Sequence, residues 1–180
     1  MSEIMEIQSH KGQYQVSFEQ NAFERLAGMT DGKWHFIIDR KVADLYSAQL
    51  LPALESGSAL LITATEENKT LDRFTAYIDH LVSRQIRRNH CLVAIGGGII
   101  QDITCFLSAT LLRGVAWQFF PTTLLAQADS CIGSKSSINV GSTKNILGTF
   151  TPPQMVYIDT SVLATLEEPE LRSGIGEMLK

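Results

Sequence analysis

Apolar residues in this chain come in short runs, and segments of helical period separate them. The stretch YQVSF (Tyr14 to Phe18) predicts a first strand, WHFIID (Trp34 to Asp39) a second and ALLIT (Ala59 to Thr63) a third. CLVAI (Cys91 to Ile95), WQFF (Trp117 to Phe120) and QMVYID (Gln154 to Asp159) predict three more. Between the second and third runs, Val42 to Leu54 reads as a helix. After the third, Leu71, Phe74, Ile78 and Leu81 recur at helical spacing. The segment IIQDITCFLSATLL then places Ile99, Ile103, Phe106, Leu107 and Leu111 on one stripe. Strands that alternate with helices imply parallel pairing, with helices on the faces of the sheet. In such α/β folds ligands sit at the carboxyl ends of the strands.

Those predicted ends carry the unusual residues. Asp39 closes the second strand, Glu66 and Lys69 follow the third, Gly96 to Gly98 follow the fourth, and Pro121, Thr122 and Thr123 follow the fifth. Each has a structural reading when taken alone: Asp39 and the threonines as helix caps, the glycines as a turn. Together they favour a ligand site. The glycine run is not the dinucleotide fingerprint G-x-G-x-x-G, because Gln101 stands where its third glycine would be. Asp102 falls in the first helical turn beyond it. An acid there suits the helix dipole, and it could also accept from a ribose hydroxyl; spacing slightly favours the dipole reading.

From Thr122 to Lys144 the chain turns polar. Asp129, Ser130, Lys135, Ser136, Ser137, Asn139, Lys144 and Asn145 are interleaved with Leu124, Leu125, Ile132, Ile138, Ile146 and Leu147. The apolar residues predict that this segment is buried, so its polar groups need partners. Two lysines and an aspartate in such a place suggest an anionic ligand. The four histidines lie outside the block and read as surface or satisfied core residues, and nothing resembles a Ser-His-Asp triad.

Composition narrows the classes. With 180 residues, 44% hydrophobic and 19% charged, the chain can fold around one sizeable core. Its net charge of −4 and lack of a basic block argue against nucleic acid. The cluster Arg84, Arg87 and Arg88 reads as a helix-end complement to the dipole. No apolar run approaches the ~20 residues of a membrane span, and the N-terminus lacks a signal-peptide core. Three scattered cysteines form neither a zinc knuckle nor a disulfide framework, which points to small core residues in a reducing cytoplasm.

Four segments, GGGIIQD, RGVAWQFFPTTLLAQADSCIGSKSSIN, KNILGTFTPPQMVYID and ELRSGIGEMLK, stand in an order and spacing that resemble the 3-dehydroquinate synthase family of sugar phosphate cyclases. The resemblance runs from about Asp39 to Lys180. It implies a Rossmann-like parallel sheet flanked by helices, and NAD with its pyrophosphate over the glycine turn. By resemblance Asp39, Glu66 and Lys69 lie near the adenosine half of NAD. Gly97, Gly98, Ile99, Asp102, Thr122, Thr123, Leu125 and Thr165 match further cofactor-lining positions, which reverses the dipole reading of Asp102. Asp129, Lys135, Lys144 and Asn145 match the substrate and nicotinamide neighbourhood. Arg113 matches an arginine that reaches the substrate phosphate across a homodimer, Lys180 a substrate-binding lysine, and Glu177 the first ligand of a divalent metal, zinc or cobalt.

The implied reaction converts 3-deoxy-D-arabino-heptulosonate 7-phosphate to a carbocycle with loss of phosphate, NAD being regenerated each turnover. Two departures stand out. Gln101 replaces the family's glycine in GGG-x-x-G-D, and Gly133 to Asn139 reads GSKSSIN where GGKTGVN is usual. A sister cyclase acting on sedoheptulose 7-phosphate or another sugar phosphate is therefore an alternative. A metal-dependent polyol dehydrogenase shares the glycine turn but not the polar block, and a nucleotide-binding module without catalysis is the reading from outside enzymes. The expected layout is an NAD-binding domain over residues 1–166, with 167–180 opening a helical metal- and substrate-binding domain whose two histidine ligands are not in this chain.

Overall fold

A computed structural model describes residues 3–179. The strands are β1 (Glu3–Ser9), β2 (Gly12–Phe18), β3 (Trp34–Asp39), β4 (Ala59–Ile62), β5 (Cys91–Gly96), β6 (Ala116–Pro121), β7 (Lys135–Val140), β8 (Thr143–Phe150) and β9 (Met155–Ile158). The α-helices are α1 (Arg40–Leu45), α2 (Leu51–Leu54), α3 (Leu71–Ser83), α4 (Gly98–Thr110) and α5 (Glu168–Met178). Seven strands form one sheet in the order β1-β2-β9-β6-β5-β3-β4, and β7 pairs with β8 in a separate hairpin. All pairings in the large sheet are parallel except β1 with β2.

The two faces of the sheet explain its apolar runs. Leu92 and Ala94 of β5 join a core under α3 and α4, with Phe74, Leu81, Ile100, Ile103 and Leu107. Val93 and Ile95 point the other way, into a core with Phe23, Leu26, Val42, Ala43 and Leu50. A strand covered on both sides reads as a continuous hydrophobic run, and all six residues of β5 are buried.

Three expectations change. The segment Val42–Leu54 is not one helix: α1 ends at Leu45 and α2 restarts at Leu51, with Pro52 in its first turn. The strand at Tyr14 begins at Gly12 and has an antiparallel neighbour, β1, that the pattern did not announce. On α4 the buried stripe runs through Ile100, Ile103 and Leu107, while Ile99 and Phe106 are only partly covered.

From β3 the chain steps outward to β4, then crosses back to β5 on the other side of β3. The direction of winding therefore reverses between β3 and β5. Such a switch point opens a crevice at the carboxyl ends of the two strands.

Candidate active site

Asp39 and Gly96 close the two strands at the switch point. A Cβ built on Gly96 would lie 3.2 Å from the Cβ of Asp39 and 2.6 Å from Ile100 Cγ1. One on Gly97 would meet Thr123 Cγ2 at 2.9 Å. These two glycines let the strand end, α4 and the Thr122–Thr123 turn pack together. Gly98 differs: its Cβ would meet only Ser130 Oγ, at 3.9 Å. The protein's own packing does not require glycine there, so the position is left open on the side of the cleft.

That side is where α4 begins. Gly97 caps it without a side-chain hydrogen bond, so the first backbone N–H groups of the 13-residue helix keep their donors for a ligand. A cleft of about 670 Å³ lies against this end, lined by Glu66, Lys69, Gly98, Ile99, Asp102, Thr123, Leu125, Lys135 and Ser137. A small adjoining recess holds Asp39, Thr122, Thr123 and Thr165. Thr122 Oγ1 is buried without a partner, an unfilled hydrogen-bonding group of the kind a ligand satisfies. The donors, the open Gly98 and this hydroxyl fit an elongated ligand carrying phosphates.

Charge in the cleft is already organised. Lys69, 5% exposed, donates to Asp102 Oδ2 at 3.0 Å and to Asn145 Oδ1 at 3.1 Å. Asp102 also accepts from the Ser137 backbone N–H at 3.0 Å. Burial pushes the Asp102 carboxyl above the usual range, against the pull of Lys69 and of the Ser137 hydrogen bonds. The Asp39 carboxyl is pushed up by burial too, although it caps α1 through the Lys41 N–H. Glu66 is held low, first by the Asn139 amide, which donates to it at 2.8 Å. Asn139 in turn accepts from the Asn145 N–H at 2.8 Å, which fixes Asn145 at a φ of 54°.

The polar block divides into a π-helical turn, Ala126–Ser130, and the β7–β8 hairpin. Its expected burial holds only in part. Ile138 is buried, but Ile132, Ile146 and Leu147 are exposed, as are Asp129, Lys135, Lys144 and Asn145. A two-stranded hairpin covers one face only. Here β7 lies on α4, while β8 forms the outer strand. Hydrogen bonds join Lys69 to Asp102 and Asn145, and Lys135 lines the cleft, whereas Lys144 and Asp129 are exposed and do not line it. Arg113 is far from this cluster in character: it is exposed, and it follows Leu112 in a left-handed turn with φ values of 65° and 51°.

The first two turns of α5 close one side. Pro169, Glu170 and Ser173 line the cleft, and Lys41 bridges Glu167 at 2.9 Å and Glu170 at 3.3 Å. Gly174 sits where a Cβ would be 2.6 Å from Leu124, so α5 packs tightly on the segment before the π-helical turn.

Several features escaped the sequence reading: Lys41, the Ser137 N–H as a donor to Asp102, Asn139 as a linker, and a reciprocal pair between Gln101 and Ser130. The departure at Gln101 was the one visible signal. Lys180 lies outside the described residues. Among the described residues, no group of three His, Cys, Asp or Glu side chains could hold a metal, and Glu177 by itself does not make a metal site. No helix of the described residues is long and apolar enough to cross a membrane.

Residues 59–173 match the family described as 3-dehydroquinate synthase N-terminal. A 3-dehydroquinate synthase of Enterococcus faecalis is 35% identical over 176 residues, 93% of this chain and 49% of its own length. The chain thus spans about half the length of the curated relatives it matches. A solved 2-deoxy-scyllo-inosose synthase, complexed with carbaglucose-6-phosphate, NAD+ and Co2+, shares the fold at a TM-score of 0.85 with 24% identity, covering 98% of this chain and 50% of that one. The 2-epi-5-epi-valiolone synthase from Streptomyces hygroscopicus subsp. jinggangensis, with NAD+ and Zn2+ bound, is 29% identical with a TM-score of 0.79, covering 91% of this chain and 48% of that one.

Proposed function

Since the chain belongs to the 3-dehydroquinate synthase family, we propose that it is the NAD-holding part of a sugar phosphate cyclase, most simply 3-dehydroquinate synthase. The observation that carries this reading is the open Gly98 position at the uncapped start of α4, on the switch point of a parallel sheet. Bound there, NAD supplies a hydride acceptor that later returns the hydride.

The chain's own residues have distinct tasks in this reading. The N–H groups at Gly98 and Ile99 take the pyrophosphate. Asp39, Glu66 and Lys69 surround the adenosine half, and Thr122, Thr123, Leu125 and Thr165 line the rest of the cofactor. Lys69 and the Ser137 N–H orient Asp102 so that it can accept from a ribose hydroxyl. Lys135, which lines the cleft, and the exposed Lys144 are assigned to an anionic phosphorylated sugar acid, and Asp129 and Asn145 to the same substrate and nicotinamide neighbourhood. Holding both ends of that substrate fixes the reacting conformer. Lys180 is assigned to the same substrate, and Arg113, on its exposed turn, to the substrate phosphate of a partner subunit in a homodimer. Glu177 would supply one ligand to a divalent metal whose other ligands are not in this chain. The setting proposed is the cytoplasm.

The replacement of GGKTGVN by GSKSSIN favours keeping a sister cyclase as the second reading, because Ser136 and Ser137 line the cleft. Titration calorimetry with NAD tests the cofactor half of the proposal. A dissociation constant in the micromolar to low millimolar range is expected, and absence of binding by the folded chain overturns it. Phosphate release from a panel of sugar phosphates by the two-domain protein tests the substrate.

A further inference from the structure

Gln101 completes the first turn of α4, its N–H donating to Gly97 O, and is 3% exposed at the wall of the cleft. Its Nε2 donates to the Ser130 backbone oxygen at 2.5 Å, and its Oε1 accepts from Ser130 Oγ at 2.7 Å. The orientation of this amide is not ambiguous. A backbone oxygen can only accept, so Nε2 must face it and Oε1 must face the hydroxyl. The Ser130 proton is therefore committed to Gln101. Whatever the hydroxyl offers toward the cleft is a lone pair. Ser130 is the last residue of the π-helical turn Ala126–Ser130 that also carries Asp129. The two hydrogen bonds tie that turn to α4 beside Gly98, whose missing Cβ would lie 3.9 Å from Ser130 Oγ.

We propose that Gln101 is a positioning residue of the cleft: it locks the turn bearing Asp129 to α4 and presents Ser130 Oγ as an acceptor to the bound ligand. The cleft then selects a group that can donate at this point, a hydroxyl or a primary amide. NAD carries both in its riboses and carboxamide. This rests on the NAD reading above.

The structural half is tested without ligand, by amide hydrogen exchange. The Cys131 N–H donates to Ala126 O across the turn and reports its opening. Gln101→Met keeps the volume and removes both hydrogen bonds. It should speed exchange at Cys131 by about tenfold, the equivalent of about 1.4 kcal/mol. Exchange unchanged from the unsubstituted protein would show that Gln101 only fills space and would overturn the lock.

The ligand half is read by NAD titration. Ser130→Ala should weaken NAD several-fold; it keeps the Gln101 Nε2 bond to the Ser130 oxygen and leaves Gln101 Oε1 without a donor, so its melting temperature should fall no further than that of Gln101→Met. Gln101→Met should weaken NAD similarly, and the double variant should be no weaker than either single one. Additive losses, or no loss in Ser130→Ala, would overturn the acceptor role while leaving the NAD reading intact. If the unsubstituted protein binds no NAD, the acceptor role falls together with that reading, and the exchange result still decides the lock.

Discussion

Lys69 Nζ stands 3.0 Å from Asp102 Oδ2, and the pair joins the turn after β4 to the first turns of α4. Lys69 is almost wholly buried, and Asp102 keeps 19% of its side chain exposed. Removing one member of a buried pair leaves the other uncompensated, which costs on the order of 3 kcal/mol. Lys69→Met should therefore destabilise strongly. Asp102→Asn should cost less, because Lys69 retains Asn145 Oδ1 at 3.1 Å and Glu66 at 3.7 Å. Urea unfolding of the two variants checks the order. Equal losses would mean that Lys69 is held by Asp102 alone.

The three glycines should respond differently to the same added methyl group. Gly97→Ala meets Thr123 Cγ2 at 2.9 Å and Gly96→Ala meets Ile100 Cγ1 at 2.6 Å, so both should lower the melting temperature. Gly98→Ala meets nothing closer than 3.9 Å and begins a helix, where alanine is favoured over glycine by roughly 0.5–1 kcal/mol. It should leave stability unchanged or raised while weakening NAD binding at least tenfold. Thermal unfolding beside calorimetric titration separates the two effects, and undiminished NAD affinity in Gly98→Ala would refute the placement of the pyrophosphate.

This contrast shows where the sequence was legible. The glycine run, Asp39 and Thr122–Thr123 could be assigned to strand ends because a strand buried on both faces leaves an unbroken apolar run. The hairpin was harder. Ile146 and Leu147 read as core residues, but β8 has no layer outside it among the described residues, and they are exposed. Local pattern cannot report which face of a two-stranded ribbon finds a partner. Nor could spacing show that Lys69, 33 residues before Asp102, would be drawn into contact with it. β1 was missed because its alternation, Glu3 to Ser9, is mostly exposed and carries little burial signal.

His35 should make stability pH-dependent. It is 1% exposed, its Nε2 lies 3.0 Å from His90 Nδ1, and its Nδ1 has no partner. Burial, then the neighbouring His90 and His80, lowers its pKa from 6.5 to about 4. The unfolded chain takes up a proton near pH 6.5 that the folded chain resists until about pH 4. The stabilising effect is thus complete above pH 6.5 and is lost as pH falls toward 4. His80 and His90, also lowered by burial, act with the same sign. Asp39 and Asp102, raised by burial, act with the opposite sign. Between pH 7.5 and 5 the His35 contribution should fall by about 2 kcal/mol. His35→Leu should flatten that slope in urea unfolding, and an unchanged slope would assign it to other groups.

Glu177 sits near the end of α5, partly buried, and it is the one residue here matched to a metal ligand. A catalytic zinc usually has three protein ligands, and among the described residues no cluster of His, Cys, Asp or Glu reaches that number. A single carboxylate binds a divalent ion too weakly to survive dialysis. The 180-residue chain should therefore hold less than stoichiometric zinc or cobalt by elemental analysis, and a chelator should not shift its melting temperature. NAD should still raise that temperature, because its proposed contacts on β3, β5, β6 and the start of α4 lie within the chain. Without the metal and without further walls to exclude water, sugar phosphates should release no phosphate above background. Stoichiometric metal retained after dialysis would point to a site built from residues other than those named here. Phosphate release by the chain alone would show that the catalytic roles have been given to the wrong side chains.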